Sequence, residues 1–144
     1  YGMAVDLGAP DGRVRDYAGS VKFMSPSIVG KHPYGLECDL WATGITAFTL
    51  LVGRYPFNGT KAEEVAEAIE RGDLDFTERE WTHVSEDAKD FVERLLRDPN
   101  IKGRPKRLGC SSLGKPPITT VDQALEHRWI RSGGGTGGGG GGPP

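Results

Sequence analysis

Hydrophobic residues crowd most densely between positions 38 and 52, where the chain reads CDLWATGITAFTLLV. Projected on a helical wheel, this run has almost no polar face: Leu40, Trp41, Ile45, Phe48, Leu50, Leu51 and Val52 point in every direction. A helix that is apolar all round is buried all round or spans a membrane. The run is too short to cross a bilayer, and Asp39 makes it too charged at one end. It therefore predicts a central core helix around which shorter elements pack. Asp39 stands out there, because a carboxylate at the start of a buried helix needs hydrogen-bond donors. Two readings of it stay open: a charge favoured by the positive end of the helix dipole, and a tether to another segment.

Weaker patterns flank this run. Residues 1–7 form a strand-like stretch ending in Asp6-Leu7-Gly8, and 9–21 read as a loop broken by Pro10, Asp11-Gly12 and Gly19. The spacing of Asp6, Asp11 and Gly12 does not supply the carboxylate ladder of an EF-hand calcium loop. Ser25-Pro26 introduces a helical turn over 24–29, with Pro suited to a first helical position. After Gly53, the segment Arg54-Tyr55-Pro56-Phe57-Asn58-Gly59 is a turn closed by Asn-Gly. Thr60-x-x-Glu63 reads as a capping box opening a helix over 61–71 that ends at Gly72. Val65 and Ile69, among Ala62, Ala66 and Ala68, give that helix an apolar stripe. Its other face carries Glu63, Glu64, Glu67 and Glu70, which serve either as solvated surface or in recognition.

Further along, Leu74, Phe76 and Trp81 are expected to anchor a connecting loop. Ser85 caps a helix over 86–97 with Ala88, Phe91, Val92, Leu95 and Leu96 as its buried stripe and Asp98-Pro99 as its stop. Residues 100–117 form a loop rich in Lys, Arg, Gly and Pro. Thr120-x-x-Gln123 is a second capping box, opening a last helix that runs to about Trp129. No alternating strand pattern of useful length and no internal repeat is present, so the expected fold class is mostly α.

Composition sharpens this only at the ends. A chain of 144 residues suits one domain, but residues 132–144 are nearly pure Gly and are expected to be a disordered tail. The formal net charge of −2 gives no reason to expect nucleic acid or a membrane surface as partner. Two cysteines, Cys38 and Cys110, argue neither for a disulfide framework nor for a metal site. The opening YGMAVDLG has no basic leader and no initiator Met, so the chain reads as beginning inside a longer sequence. The expected setting is intracellular, in the cytoplasm or nucleus.

Six short motifs now fall into one order. Asp6-Leu7-Gly8 resembles the Asp-Phe-Gly motif of eukaryotic protein kinases, with Leu for Phe. Gly19-Ser20-Val21-Lys22-Phe23-Met24-Ser25-Pro26-Ser27 resembles their Gly-Thr-x-x-Tyr-Met-Ala-Pro-Glu segment. Cys38-Asp39-Leu40-Trp41 with Gly44 resembles the buried F helix, and Gly53-Arg54-Tyr55-Pro56-Phe57 the Gly-x-x-Pro-Phe turn. Asp98-Pro99 and His127-Arg128-Trp129 resemble the Asp-Pro and His-Pro-Trp motifs. Within the superfamily, Trp81-x-x-Val84-Ser85-x-x-Ala88-Lys89-Asp90-Phe91 is most similar to the calcium/calmodulin-dependent and calcium-dependent Ser/Thr kinases. Lys106-Arg107-Leu108-Gly109 is more like the cyclic-nucleotide-dependent group. The resemblance implies a helical C-terminal lobe over 1–131, with the activation segment at 6–27 and the helices over 28–131.

It also implies roles. In phosphoryl transfer the protein mainly positions metal and phosphates and neutralises charge. Asp6 would coordinate Mg2+ on ATP, and Gly8 would allow the backbone turn beside it; taken alone, Asp6 reads as a loop carboxylate, a reading its motif context makes the lesser one. Ser20 would face the substrate residue after the target hydroxyl, and Asp39 would accept backbone hydrogen bonds from the catalytic loop. Glu67 falls where basophilic relatives pair with an Arg of the peptide. The implied partners are a protein substrate and ATP.

The departures are specific. Ser27 holds the position of the Glu that pairs, in the family, with a buried Arg, while Arg107 (or Arg104) remains. Losing one partner of a buried pair is costly, so a looser substrate-loop anchor is expected, and Ser27→Glu should raise thermal stability. The short 8–24 region and the permanent charge of Asp16 suggest activation without phosphorylation of Tyr17 or Ser20. The chain holds no Gly-rich loop, strand lysine or His-Arg-Asp catalytic loop. These residues alone are therefore expected to be inactive: the catalytic residues lie upstream, with Asp39 and Ser20 in support. The reading is a Ser/Thr kinase fragment that prefers basic substrates, the alternative a degenerate kinase serving as a binding or scaffold module. No feature after Trp129 suggests calcium-binding loops.

Overall fold

The computed structural model describes residues 20–72, 74, 79–98 and 114–133. Among them the chain is helical and forms no strand. A 3-10 turn at Val21–Phe23 leads into α1 (Pro26–Val29), followed by the long α2 (Glu37–Val52) and by α3 (Ala62–Arg71). A second 3-10 turn, Arg79–His83, precedes α4 (Glu86–Leu95), and two short helices follow, α5 (Val121–Leu125) and α6 (Arg128–Arg131).

The central helix is where expected, but it is not buried all round. Leu40, Trp41, Gly44, Ile45, Ala47 and Phe48 are buried, whereas Leu36, Asp39, Thr43, Thr46 and Leu50 lie exposed. Their spacing of three and four residues puts them on a single stripe of the helix. The hydrophobic pattern missed this face because threonine and leucine there do not announce exposure. The hydroxyls of Thr43, Thr46 and Thr49 donate to the carbonyls of Asp39, Ala42 and Ile45, one turn back, which lets polar side chains sit on a helix without seeking water. Gly53 ends α2 in the left-handed region (φ 79°) and donates its N–H to the Thr49 carbonyl.

The main core forms between α2, α3, the second 3-10 turn and α4. Phe48 meets Trp81 edge-on at 5.0 Å, and Trp41 stacks on Phe57 at 5.9 Å. Val65, Ala68 and Ile69 of α3 and Ala88, Val92 and Leu96 complete the cluster. Each large side chain taken fully out of water contributes about 1.5–3 kcal/mol, so this cluster supplies most of the drive to fold. A smaller cluster of Leu40, Phe91, Leu95 and Ile118 joins α2, α4 and the 114–119 segment. Leu74 and Trp81 are buried anchors, as expected; Phe76 lies outside the described residues.

Several boundaries differ from the sequence reading; α1, for example, starts at Pro26 rather than at residue 24. At the start of α3 the cap is shifted by one residue. The helix begins at Ala62 and Lys61 is the N-cap, without a side-chain bond. The Glu64 carboxylate, not Glu63, accepts the Thr60 N–H (2.7 Å) and hydroxyl (2.9 Å). α4 is capped by Ser85 as expected, but it ends at Leu95 rather than Arg97. The Thr120/Gln123 capping box is present, yet the helix it opens stops at Leu125. A new one starts at Arg128 because His127 adopts an extended N-cap conformation and its ring accepts the Trp129 N–H. Among the described residues, no helix is long and apolar enough to cross a membrane.

Candidate substrate-binding surface

Ser20 leads the first 3-10 turn. Its backbone is extended, its carbonyl accepts the Phe23 N–H at 3.0 Å, and its exposed hydroxyl makes no capping bond. The turn is pinned from one side: Phe23 meets Tyr55 edge-on at 5.9 Å, and the Lys22 ammonium sits 4.3 Å above the same ring. Ser25 then caps α1, accepting the Ile28 N–H with Pro26 at the first helical position. Both the 3-10 turn and α1 pack against α3. From α3, Glu67 faces solvent and pairs with Arg71 one turn on, at 3.5 Å. Residues 20–29 thus pack on α3 to form a ledge, and Ser20, Glu63, Glu64, Glu67 and Arg71 are among the exposed polar groups of the two segments.

Ser27 is buried within this ledge, 4% exposed. Its hydroxyl donates to Asp98 Oδ2 at 2.9 Å, 71 residues away in sequence, and its carbonyl accepts the His32 N–H at 2.8 Å. The position of the expected Glu is therefore filled by a hydroxyl with a direct carboxylate partner. Sequence reasoning treated Asp98 only as a helix stop and missed this contact, which no spacing rule links to Ser27. Arg107 and Arg104 lie outside the described residues, as do Asp6 and Gly8. Among the described residues, no group of three or more His, Cys, Asp or Glu could hold a metal ion.

Asp39 corrects an expectation. It sits on the exposed stripe of α2, not within an apolar wall, and accepts a weak hydrogen bond from the Cys38 thiol at 3.8 Å. Burial, then the charges of Asp39 and Glu37, push that thiol up to about 11. Cys38 therefore stays protonated at neutral pH and is a poor nucleophile.

A denser polar cluster lines a cleft of about 390 Å³ between α4, α5 and α6. Asp90, nearly buried, receives His127 Nε2 at 2.9 Å and Lys115 Nζ at 3.1 Å, with Arg94 at 3.7 Å. Burial raises the Asp90 carboxyl, but the bonds from His127 and Lys115 and the nearby positive charges prevail and hold it below the usual carboxylate range. Arg128 pairs with Asp87 across the mouth at 3.2 Å. The buried Glu93 carboxylate pairs with Arg97 at 3.0 Å. The spacings Asp90–Arg94 and Glu93–Arg97 were legible as i,i+4 pairs, but the arrivals of Lys115 and His127 were not.

This helical lobe, with its capped α1, central α2 and buried Asp90–His127 pair, matches a known domain. A protein kinase domain model matches residues 1–130, and the chain belongs to the protein kinase domain family. It is 34% identical over 135 residues to calcium-dependent protein kinase 3 of Oryza sativa subsp. japonica, covering 90% of this chain and 21% of that protein. It is 37% identical over 134 residues to calcium-dependent protein kinase 8 of the same plant, covering 88% and 22%. CDPK-related kinase 8 of Arabidopsis thaliana is 35% identical, covering 92% and 19%. Among solved structures, a twitchin kinase fragment from C. elegans, described as an autoregulated protein kinase with immunoglobulin domains, superimposes with a TM-score of 0.66. It shares 30% identity, covering 84% of this chain and 24% of that one. The chain spans about one fifth of the length of the curated relatives it matches.

Proposed function

We propose that these residues are part of a Ser/Thr protein kinase that transfers the γ-phosphoryl group of ATP to protein hydroxyls and prefers basic substrates. The observation that carries this reading is the ledge: the turn bearing Ser20 is packed on the helix bearing an exposed Glu67. An extended peptide crossing it would meet a hydroxyl at one point and a carboxylate at another. A protonated Arg side chain complements that carboxylate. When bound, Mg2+ would offset the phosphate charge of ATP; Asp6 would hold it and Gly8 would give the chain room to turn. Asp39, on the open stripe of α2, would accept backbone N–H groups of the catalytic loop, and Arg107 would lie near the Ser27 anchor. The 144 residues by themselves are expected not to transfer phosphate. They contain no Gly-rich loop, strand lysine or His-Arg-Asp motif.

A second reading is favoured by Ser27, which stands where the family's pattern has Glu: a degenerate kinase that binds proteins without catalysis. The two separate in one assay. The complete gene product containing these residues is incubated with Mg2+, γ-labelled ATP and basic peptides carrying Ser or Ala at the target position. Label on the Ser peptide alone supports the kinase. Peptide binding without labelling supports the scaffold.

A further inference from the structure

We infer that Lys22 is a specificity-determining residue, selecting peptides that carry an acidic side chain just beyond the target hydroxyl. The inference rests on the reading of the ledge as the substrate surface, on which Ser20 would face the residue after that hydroxyl. Lys22 follows Ser20 within the same 3-10 turn and is half-buried. Its ammonium sits 4.3 Å above the Tyr55 ring and, among the described residues, meets no carboxylate. The ring is a firm platform. Phe23 meets it edge-on at 5.9 Å, and the Tyr55 carbonyl accepts the Asn58 side-chain amide at 3.0 Å. An aromatic face attracts a cation, but it leaves the ammonium N–H donors without an oxygen acceptor from the protein.

The neighbouring helix does not supply that acceptor. α3 packs on the turn and carries Glu63, Glu64 and Glu67. Glu64 is engaged by the Thr60 N–H and hydroxyl, and Glu67 pairs with Arg71. The ledge therefore presents a cation on the turn and carboxylates on α3. An Arg of the peptide suits Glu67, and an Asp or Glu close to the target hydroxyl suits Lys22. A lysine already held over a ring also loses less rotamer freedom when the pair forms than a free one does. The substrate class is thus a peptide of mixed charge, basic at one point and acidic at another, rather than a uniformly basic one.

The test uses the complete gene product with the variants Lys22→Met and Lys22→Glu. An Arg-containing Ser peptide is varied in turn at each position following the target Ser, with Glu, Ala or Arg placed there. At the position that meets Lys22, Glu should exceed Ala in kcat/KM by about fivefold, the upper end for an ion pair in contact with water. Lys22→Met keeps an apolar stem on the Tyr55 ring and should erase that preference. Lys22→Glu should invert it in favour of the Arg peptide. Dissociation constants read by fluorescence anisotropy should follow the same order and do not depend on turnover. If Lys22→Met lowers the melting temperature while the Glu-to-Ala ratio stays put, Lys22 is merely structural and the inference is overturned. A parent protein that treats the Glu and Ala peptides alike at every position overturns it too. If the parent binds the peptides but never labels them, the kinase reading fails while the anisotropy series still decides the role of Lys22. If the parent neither binds nor labels, both fall.

Discussion

The His127 ring bridges α6 to α4 with both of its nitrogens engaged. Its Nδ1 accepts the Trp129 N–H at 3.2 Å, so the proton must reside on Nε2, which donates to Asp90 Oδ2 at 2.9 Å. One neutral tautomer thus caps a helix and satisfies a buried carboxylate at once. Trp129, placed by that cap, lies 5.2 Å from Phe91, itself 5.0 Å from the His127 ring. The last helix is therefore held by a polar pin surrounded by aromatic contacts.

This pin makes stability fall in acid. The Asp90 carboxyl titrates below its ordinary range in the folded chain, so its contribution is fully present above the unfolded value of about 3.9. It is lost as pH falls from there through the lower folded value. Asp90→Asn should flatten that acid limb. It should also lower stability near pH 7 by about 1–3 kcal/mol, because Lys115 and His127 lose a charged acceptor. Urea denaturation between pH 3 and 7 measures both effects. An unchanged acid limb in the variant would assign it to other carboxylates.

Gly44 lets α2 and α4 touch. A Cβ built there would stand 2.8 Å from Leu96 Cδ2 and 3.0 Å from Leu95 Cβ. The first contact can rotate away; the second is fixed to the α4 backbone. Gly44→Ala gains about 1 kcal/mol of helix propensity, but the overpacking costs about 1–3 kcal/mol. Net destabilisation by thermal melt is the expected outcome, and a stabilised variant would mean that α4 can slide. In a Leu96→Ala background only the Leu95 contact remains, so the added penalty should shrink.

These two features mark what the sequence could tell. The elements themselves were legible because periodicity and caps are local: Ser25, Ser85 and Thr120 all cap the helices read from them. The main core was equally legible, since Trp81, Val65 and Ile69 are buried wherever the helices pack. Which polar side chains meet was not, because Ser27–Asp98 and Asp90–Lys115 join residues that only the tertiary fold brings together. The exposed stripe of α2 failed for a third reason. Leu50 is as hydrophobic as Leu40, and hydrophobicity alone does not say which face has a neighbour. Asp6, Gly8 and Arg107, the residues read for metal, nucleotide and the family's ion pair, lie outside the described residues, so their roles rest on motif resemblance.

The one-residue shift at the start of α3 has a simple discriminating test. Glu64, not Glu63, accepts the two Thr60 donors. The Thr60 N–H and hydroxyl hold its carboxyl below the usual range. Glu64→Ala should lower the melting temperature and Glu63→Ala should leave it nearly unchanged. Since the folded value is the lower one, the Glu64 contribution is present above the ordinary glutamate range and is lost as pH falls from there through the lower folded value. The two variants should therefore converge in melting temperature at low pH. Equal losses for both at pH 7 would instead favour a helix-dipole effect shared by all first-turn carboxylates.

Arg71 would compete with a basic substrate for the Glu67 carboxylate. The pair is exposed on both sides and 3.5 Å apart, a geometry worth about 0.2–1 kcal/mol. If the ledge takes basic peptides, removing the internal cation should help an external one. Arg71→Ala should then improve kcat/KM for an Arg-containing peptide by about 1.4- to fivefold, the factor that such a pair energy implies. Glu67→Gln should erase the preference for Arg over Ala at that peptide position while sparing the Ala peptide. Raising the salt concentration should shrink both effects, because exposed charges are screened. A Glu67→Gln protein that still discriminates Arg from Ala would move the recognition to another carboxylate and leave Glu67 as solvated surface.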